Sequence, residues 1–381
     1  MDERKERERE KEDDDDDILF VCMCFHSDRR QVDVEVISRS NMWIVLFVLG
    51  NLFIHGYSID ILEKDLNKSI EKILLINDNL FLGTENFLHR LSSTTLQNNA
   101  HSFHFSFNQS YHLKILLPII NDNLLICGTV QSGLCQIIDH NFHVIINSSL
   151  AIVANDRINS TIPLIIPEDN LIYLGVTYTN QGISRWQIPN LSGRSLNFSQ
   201  FLQIPSIKNV DEDISRDDLS LRFMPRQQLT FIVQYIYSFY TDDYIYFLTN
   251  QPTDIDQSII TTKIVRFCRK KSSSIIRSYS ELPLICSDTQ WIVQSAQIVH
   301  NPENELILLG MFRKRDGSNG TLMCVWHLRE QIEKSFFENY QRCYSAGIGQ
   351  RDLAFIKPNE PCRKDQVRMT YGEFLFFSSF E

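Results

Sequence analysis

The sequence lacks the short motifs that mark the common catalytic sites. Gly-x-Ser-x-Gly, His-Glu-x-x-His and a glycine-rich phosphate loop do not occur in it. Cys-x-x-Cys pairs are also missing, so neither a zinc knuckle nor a thioredoxin-type redox site is indicated. These absences predict a protein that is not an enzyme and that uses no cofactor and no metal.

An excess of basic charge is lacking throughout the sequence. The formal net charge is -10, and residues 1–17 contribute -6 of it through eleven acidic and five basic side chains. The rest of the chain is therefore nearly neutral and has no basic stripe, which argues against a nucleic-acid partner. The charged start has almost no apolar surface to bury, so we expect residues 1–41 to be a disordered extension.

Long hydrophobic runs are absent as well. The longest, residues 42–54, is shorter than the about 20 residues that a membrane-spanning helix needs. Arginines precede it, and Gly56 and Ser58 follow, which is the layout of a secretory signal. The sequence thus predicts a signal-peptide-like segment over residues 42–58 with its true start at Met42, and a buried core strand is the alternative.

Cysteines and glycosylation sequons agree with export. Seven cysteines lie singly along the chain after this segment, as disulfide-forming cysteines of secreted proteins do. Seven Asn-x-Ser/Thr sequons are candidate N-glycosylation sites. They are Asn67, Asn108, Asn147, Asn159, Asn190, Asn197 and Asn319.

One strand signature recurs in the body of the chain. Residues 77–83 read Asn-Asp-Asn-Leu-Phe-Leu-Gly, and close copies occupy residues 121–128 and 168–175. Weaker copies lie at residues 242–249 and 303–310. A polar turn leads each time into a nearly all-apolar strand, which predicts a strand buried on both faces. A repeat of 45 to 47 residues between Gly83, Gly128 and Gly175, built from strands, indicates a β-propeller.

Several other segments are predicted to have structural roles. Only residues 328–340 have clear helical spacing, and residues 62–73 are ambiguous. His101 and His104 fall on opposite faces of a strand and are predicted to be surface residues. The aromatic-rich residues 231–247 are predicted to form a doubly buried strand pair. A charge-rich insertion is predicted to be a solvated loop; it contains Asp211, Glu212, Asp213, Asp217 and Asp218.

The ordered cysteines and their flanks resemble a known family. Residues 126–135, Ile-Cys-Gly-Thr-Val-Gln-Ser-Gly-Leu-Cys, resemble the cysteine-flanked hairpin of sema domains. Segments in the order seen in plexins follow: residues 188–196, 240–249, 263–268, 278–286 and 322–326, then Cys343 and Cys362. The resemblance covers roughly residues 61–362. It implies a sema-type β-propeller over residues 59–370, an all-β fold with about five of seven blades present.

The resemblance also implies a disulfide framework. The pairs it implies are Cys127–Cys135, Cys286–Cys324 and Cys343–Cys362. The family partner of Cys268 would lie beyond Cys362, so Cys268 is expected to be unpaired. Residues 371–381 are interpreted as an aberrant tail, and the propeller as incomplete at its C-terminus, from a truncated plexin or an incomplete gene model. Five blades that close by themselves are the alternative.

The function implied by the resemblance is recognition. Plexins are cell-surface receptors for semaphorins, so the implied partner is a semaphorin, bound through propeller edges and loops, and receptor self-association is left open. The implied location is the extracellular side of the plasma membrane, with membrane attachment only through a segment missing from this chain. A secreted fragment acting as decoy or ligand is the alternative, and a propeller hydrolase is a weaker one.

Overall fold

The computed structural model describes thirteen stretches of the chain, and regular structure in them is almost entirely β-strand. These stretches are residues 31–34, 45–47, 61–63, 69–93, 98–105, 109–119, 122–179, 188–205, 219–223, 228–253, 259–269, 275–288 and 290–345. The strands are β1 Gln31–Val34, β2 Val45–Phe47, β3 Ile61–Glu63, β4 Ile70–Ile76, β5 Asn79–Thr84, β6 Phe87–Ser92, β7 Asn98–His104, β8 Leu113–Pro118, β9 Leu124–Gly128, β10 Cys135–Ile138, β11 Val144–Asn147, β12 Thr161–Ile166, β13 Leu171–Val176, β14 Leu191–Ser195, β15 Ser220–Leu221, β16 Gln234–Tyr240, β17 Tyr244–Pro252, β18 Ile260–Cys268, β19 Ser280–Pro283, β20 Trp291–His300, β21 Leu306–Lys314 and β22 Thr321–His327.

Helices are few and short among the described residues. Single 3-10 turns cover Val130–Ser132, Pro167–Asp169 and Phe198–Gln200. Helix α1 is Ile275–Ser278, and helix α2 is Lys334–Tyr340, which has a π-helical turn at each end, Leu328–Glu333 and Gln341–Ser345. The predicted helix over residues 328–340 is therefore confirmed. The ambiguous residues 62–73 contribute to two strands, β3 and β4.

The strands form five sheets of three to five strands, which we call A to E, and one two-stranded sheet. Their orders are β1-β4-β5-β6-β7 for sheet A, β11-β10-β9-β8 for B, β12-β13-β14-β15 for C, β16-β17-β18-β19 for D, β20-β21-β22 for E, and β2-β3. In sheets C, D and E, strands that follow one another in the chain pair antiparallel. This meander of consecutive strands is the blade topology of a β-propeller.

Two compact units make up the chain. The first is Met1–Ile126 with Ile138–His143 and contains sheet A, and the second is Cys127–Ile137 with Val144–Glu381 and contains sheets C, D and E. Within the second unit, the first strands of its sheets are neighbours. Ser238 in β16 donates from its hydroxyl to the carbonyl of Pro163 in β12 over 3.0 Å. The Ile298 N–H in β20 donates to the Tyr237 hydroxyl over 3.1 Å.

Each copy of the repeated signature becomes a strand that has a neighbour on both sides. These strands are β5, β9, β13, β17 and β21. In β17, Ile245 and Phe247 join a core cluster with sheet C, whereas the alternate residues Tyr246 and Leu248 join one with sheet E. Successive side chains of a strand point to opposite faces, so sheet D is buried on both sides. The prediction of doubly buried strands is confirmed for β5, β9, β13 and β17. It is wrong for β21, where one face is only half-buried and Met311 is 40% exposed. Within residues 231–247, β17 is buried on both faces and β16 only in part.

The polar turn of the signature depends on residues that accept a left-handed backbone. Asn77, Asp122, Asn170 and Asn304 have φ values of 50°, 58°, 54° and 62°. Asparagine and aspartate tolerate this region better than other residues with a side chain. The recurrence of Asn and Asp before β5, β9, β13 and β21 therefore follows from the backbone of a tight turn.

Short strands lie in both N-terminal segments, the extension of residues 1–41 and the signal-peptide-like segment of residues 42–58. Strand β1 pairs antiparallel with β4, Gln31 opposite Ile76 and Val34 opposite Ile73, so residues 1–41 are not disordered throughout. Strand β2, inside the signal-peptide-like segment, pairs with β3. A strand there is the alternative that the sequence had left open. The other residues of both segments, and residues 371–381, lie outside the described part of the chain.

Candidate recognition surface

The turns between the first and second strands of sheets C, D and E carry acidic side chains. They hold Glu168 and Asp169, Asp242 and Asp243, and Glu303 and Glu305, respectively. We call these six residues the turn surface. Of the six, all except Asp169 are exposed.

Arg269 shows that the turns of sheets C and D lie at the same end of the second unit. Its backbone N–H donates to the carbonyl of Asp243 over 2.8 Å. Its guanidinium donates to Asp169 over 3.2 Å and to Glu168 over 3.4 Å. The same guanidinium lies 4.9 Å from the ring centroid of Tyr240. One arginine thus joins two neighbouring sheets through two turns.

A second arginine attaches the C-terminal helix beside this end. Arg266 lies between the rings of Tyr244 and Phe336, 4.2 Å and 4.1 Å from their centroids. It also donates to the Glu333 carboxylate over 2.5 Å. Burial and the nearby Asp243 carboxylate raise the pKa of Glu333 to about 7, and burial lowers the pKa of Arg266. The pair is therefore largely removed from water, which favours the neutral form of the acid.

A buried ion pair and its hydrogen-bond partners lie within sheet D. Lys263 donates to Glu281 over 2.7 Å, and neither side chain is more than 7% exposed. Tyr279 and Gln251 also donate to this carboxylate, over 3.0 Å and 2.9 Å. The hydroxyl of Tyr279 has a raised pKa, chiefly because of burial. The cluster lies inside sheet D and has a structural role there.

The cysteines form bonds within and between sheets. Cys127 is bonded to Cys135, which joins the end of β9 to the start of β10. Cys286 is bonded to Cys324, which joins the segment after β19 to β22, the last strand of sheet E. These are two of the pairs that the resemblance implied. Cys343 is disulfide-bonded, and Cys362 lies outside the described residues. Cys268 ends β18 half-buried, and its lack of a disulfide partner stays a prediction.

The sequons differ in how accessible their asparagines are. Asn147, Asn197 and Asn319 are exposed, and Asn159 is half-buried with its amide donating to Asp156 over 2.5 Å. Asn190 is only 2% exposed, and its side-chain oxygen accepts from the Phe223 N–H. The structure therefore argues against Asn190 as a glycosylation site, because a glycan cannot be accommodated at a buried, hydrogen-bonded side chain. Asn67 and Asn108 lie outside the described residues.

The described residues hold neither a metal-ligand cluster nor a helix long and apolar enough to cross a membrane, and they include the two histidines singled out in the sequence. No group of three potential metal ligands converges in the described stretches. Across those same stretches, no helix reaches the length and hydropathy that a membrane span requires. His104 is exposed near the end of β7, with its ring 4.8 Å from that of Phe87. His101 lies in the same strand. The charge-rich insertion from Asp211 to Asp218 is outside the described residues.

Sequence reasoning missed the residues that organise the turn surface. Arg266, Arg269 and Glu333 lie far apart in the chain, and nothing in their local sequence marks them as partners. Their only local signal is the repeated acidic turn, which gives the positions of Asp169 and Asp243 but not of the cations that bind them.

Plexins are among the curated relatives of this chain. No protein-family model matches the chain. Plexin-2 of Caenorhabditis briggsae is 24% identical over 276 residues, which are 70% of this chain and 14% of the relative. Human Plexin-A4 is 30% identical over 159 residues, or 35% of this chain and 8% of the relative. The chain thus spans about one seventh or less of the length of these curated relatives.

Solved structures agree on the fold. The full extracellular region of plexin A4 superposes with a TM-score of 0.62 at 18% identity, covering 76% of this chain and 29% of that chain. The fold class is therefore an all-β, sema-type β-propeller with five blades described. With the curated matches, the chain is similar to plexins in sequence over 70% of its length, and its fold is that of a plexin extracellular sema domain.

Proposed function

We propose that this chain is the ligand-recognition domain of a plexin-like receptor and that its ligand is a semaphorin. Similarity to plexins over 70% of the chain supports the proposal. The propeller would serve as a rigid scaffold, and the contacts would come from its loops and sheet edges, where binding residues concentrate. Such a domain works without catalysis. Its place is the extracellular side of the plasma membrane, where disulfides such as Cys286–Cys324 persist.

The observation that carries the proposal furthest is the fixed geometry of the turn surface. Five of its six acidic side chains are exposed, and Arg269 joins two of the turns that carry them. A patch of one sign favours a partner of the opposite sign and speeds the encounter with it. We therefore propose that the turn surface meets a basic patch of the ligand.

The experiment is a binding measurement between the purified chain and a panel of semaphorin ectodomains. The test variant is Asp242→Lys with Glu303→Lys, two exposed residues of the turn surface. The matched control is Asp316→Lys, because Asp316 is an exposed acid in the β21–β22 hairpin, at the other end of sheet E.

Binding to at least one semaphorin supports the receptor assignment, and a chain that binds none of the panel contradicts it. We expect the double variant to lose affinity, mostly through a slower association rate at low salt, and the control to retain it. Equal affinities for the two variants would remove the turn surface from the interface while leaving the receptor assignment standing.

A further inference from the structure

Among the described residues, strand β11 is an edge strand that exposes one apolar side chain on each of its two faces. It is the last strand of sheet B, and Val144 and Ile145 are 43% and 47% exposed. Leu150, just beyond the strand, is 43% exposed. An edge strand of this kind presents unpaired backbone groups beside apolar side chains, which is a template for pairing with another chain.

A sequon ends this same strand. Asn147 is exposed, and side chains two positions apart in a strand lie on the same face, so Asn147 and Ile145 are neighbours about 7 Å apart. Gln136 of β10 donates to the side-chain oxygen of Asn147 over 2.7 Å. That contact engages the amide oxygen of an exposed residue and not its amide nitrogen, the atom that N-glycosylation modifies.

We propose that Asn147 carries an N-linked glycan that covers the apolar edge of sheet B. The Asn147 nitrogen forms a bond to the anomeric carbon of a lipid diphosphate-linked oligosaccharide. The bond from that carbon to the diphosphate breaks, the diphosphate leaves with the electron pair, and the amide loses one proton. The amide oxygen is untouched, so the hydrogen bond from Gln136 persists in the modified protein.

The other exposed sequons differ in their surroundings. Asn319 lies in the β21–β22 hairpin, and Asn197 precedes a 3-10 turn, so neither belongs to an edge strand. A glycan at Asn147 blocks approach to the open edge of β11, as charged side chains and bulges do in other sheets. The inference rests on the proposed function only in requiring passage through the secretory pathway.

The sequon can be removed without touching Asn147. Ser149 is the third residue of the sequon and is exposed. Ser148 is buried, and its hydroxyl accepts a hydrogen bond from the Cys135 N–H and donates one to the Leu150 carbonyl. Ser149→Ala removes the acceptor sequence, and Ser149→Thr preserves it as the matched control. The full chain would be secreted from animal cells behind an added leader. Site occupancy would be measured by mass spectrometry of the glycopeptides, and molar mass by light scattering after size-exclusion chromatography.

We expect occupancy at Asn147 in the parent and in Ser149→Thr, and a monomeric chain in both. Ser149→Ala should lose the glycan and raise the mean molar mass about twofold or more by edge pairing. Adding Ile145→Lys to Ser149→Ala should restore the monomer. An unoccupied Asn147 beside an occupied Asn319 overturns the inference, and so does a monomeric Ser149→Ala chain. Semaphorin binding by the parent is scored separately, so either proposal can fail alone.

Discussion

A Cβ atom placed on Gly175 would lie 2.4 Å from the Cδ1 atom of Tyr235. Gly175 closes the signature of sheet C, and Tyr235 lies in β16, the first strand of sheet D. The same relationship recurs in the first unit, where a Cβ on Gly83 would lie 2.3 Å from Leu113 at the start of β8. At these two positions a glycine is required because the first strand of the next sheet packs directly against it.

Substitution of this glycine tests the relationship. Gly175→Ala should lower the free energy of unfolding by about 1 to 3 kcal/mol, because the added methyl group overpacks a filled core. Combined with Tyr235→Ala, which removes the opposing ring, the same substitution should cost less than it does alone. Urea denaturation of the four chains measures the coupling. Strictly additive effects would show that the two residues do not oppose each other.

Removal of the bond between sheets D and E is a second test. Cys286→Ser with Cys324→Ser should destabilise the chain by about 2 to 4 kcal/mol, since the disulfide restricts the unfolded ensemble. Met323→Ser, an exposed change beside Cys324, is the control and should stay within about 0.5 kcal/mol of the parent. A double variant as stable as this control would contradict a structural role for the bond.

The Arg266–Glu333 pair predicts a pH dependence. The folded pKa of Glu333 is raised to about 7 from its ordinary value of 4.5. A carboxyl group whose pKa is raised by folding contributes stability that is fully present below its unfolded pKa. This stability is lost as the pH rises through its folded pKa. The stability difference between the parent and Glu333→Gln should therefore change between pH 5 and pH 8, with the parent losing stability relative to the variant.

Urea denaturation across this range measures that difference, with Glu330→Gln as the control because Glu330 is exposed on the same helical segment. The control should follow the parent at every pH. A parent that gains stability on the alkaline side would show that attraction to Arg266 outweighs burial, and the assigned direction of the pKa shift would be wrong.

The buried Lys263–Glu281 pair predicts a strong asymmetry between single and double changes. Glu281→Gln leaves the Lys263 ammonium without its counter-charge and should cost about 3 to 5 kcal/mol. Lys263→Met with Glu281→Gln removes both charges and should recover a large part of this loss. The free energies of unfolding of both chains decide the matter. A double variant no more stable than the single one would refute the charge-burial explanation.

The sequence predicted the features that arise from local physics. Asn and Asp in the turns and uninterrupted apolar runs gave the second strand of each blade, because turn backbone and burial on both faces act on neighbouring residues. Gly83 and Gly175 were visible as repeats, but their cause was not, since the atoms they accommodate belong to Leu113 and Tyr235 in other sheets.

The candidate surface was less accessible to sequence reasoning. Arg269 binds Asp169 one hundred residues earlier, and Glu333 meets Arg266 only after the helix has docked. Asn190 fulfils the sequon rule and is nevertheless buried, because a motif of three residues carries no information on tertiary burial. The strand of residues 31–34 was not predicted because it forms by pairing with β4, about 40 residues later, and its own sequence does not show that pairing.

The complementarity between a glycine in one blade and a bulky side chain in the next has a consequence for chimeric proteins. At two of the contacts between neighbouring blades, a glycine is matched to one particular side chain: Gly175 to Tyr235 and Gly83 to Leu113. An engineer who transplants a single blade therefore brings half of two such pairs into foreign surroundings. The unit to transfer is therefore the contact between two blades, with both of its partners. A chimera whose exchange boundaries lie within sheets should fold better than one whose boundaries lie between sheets.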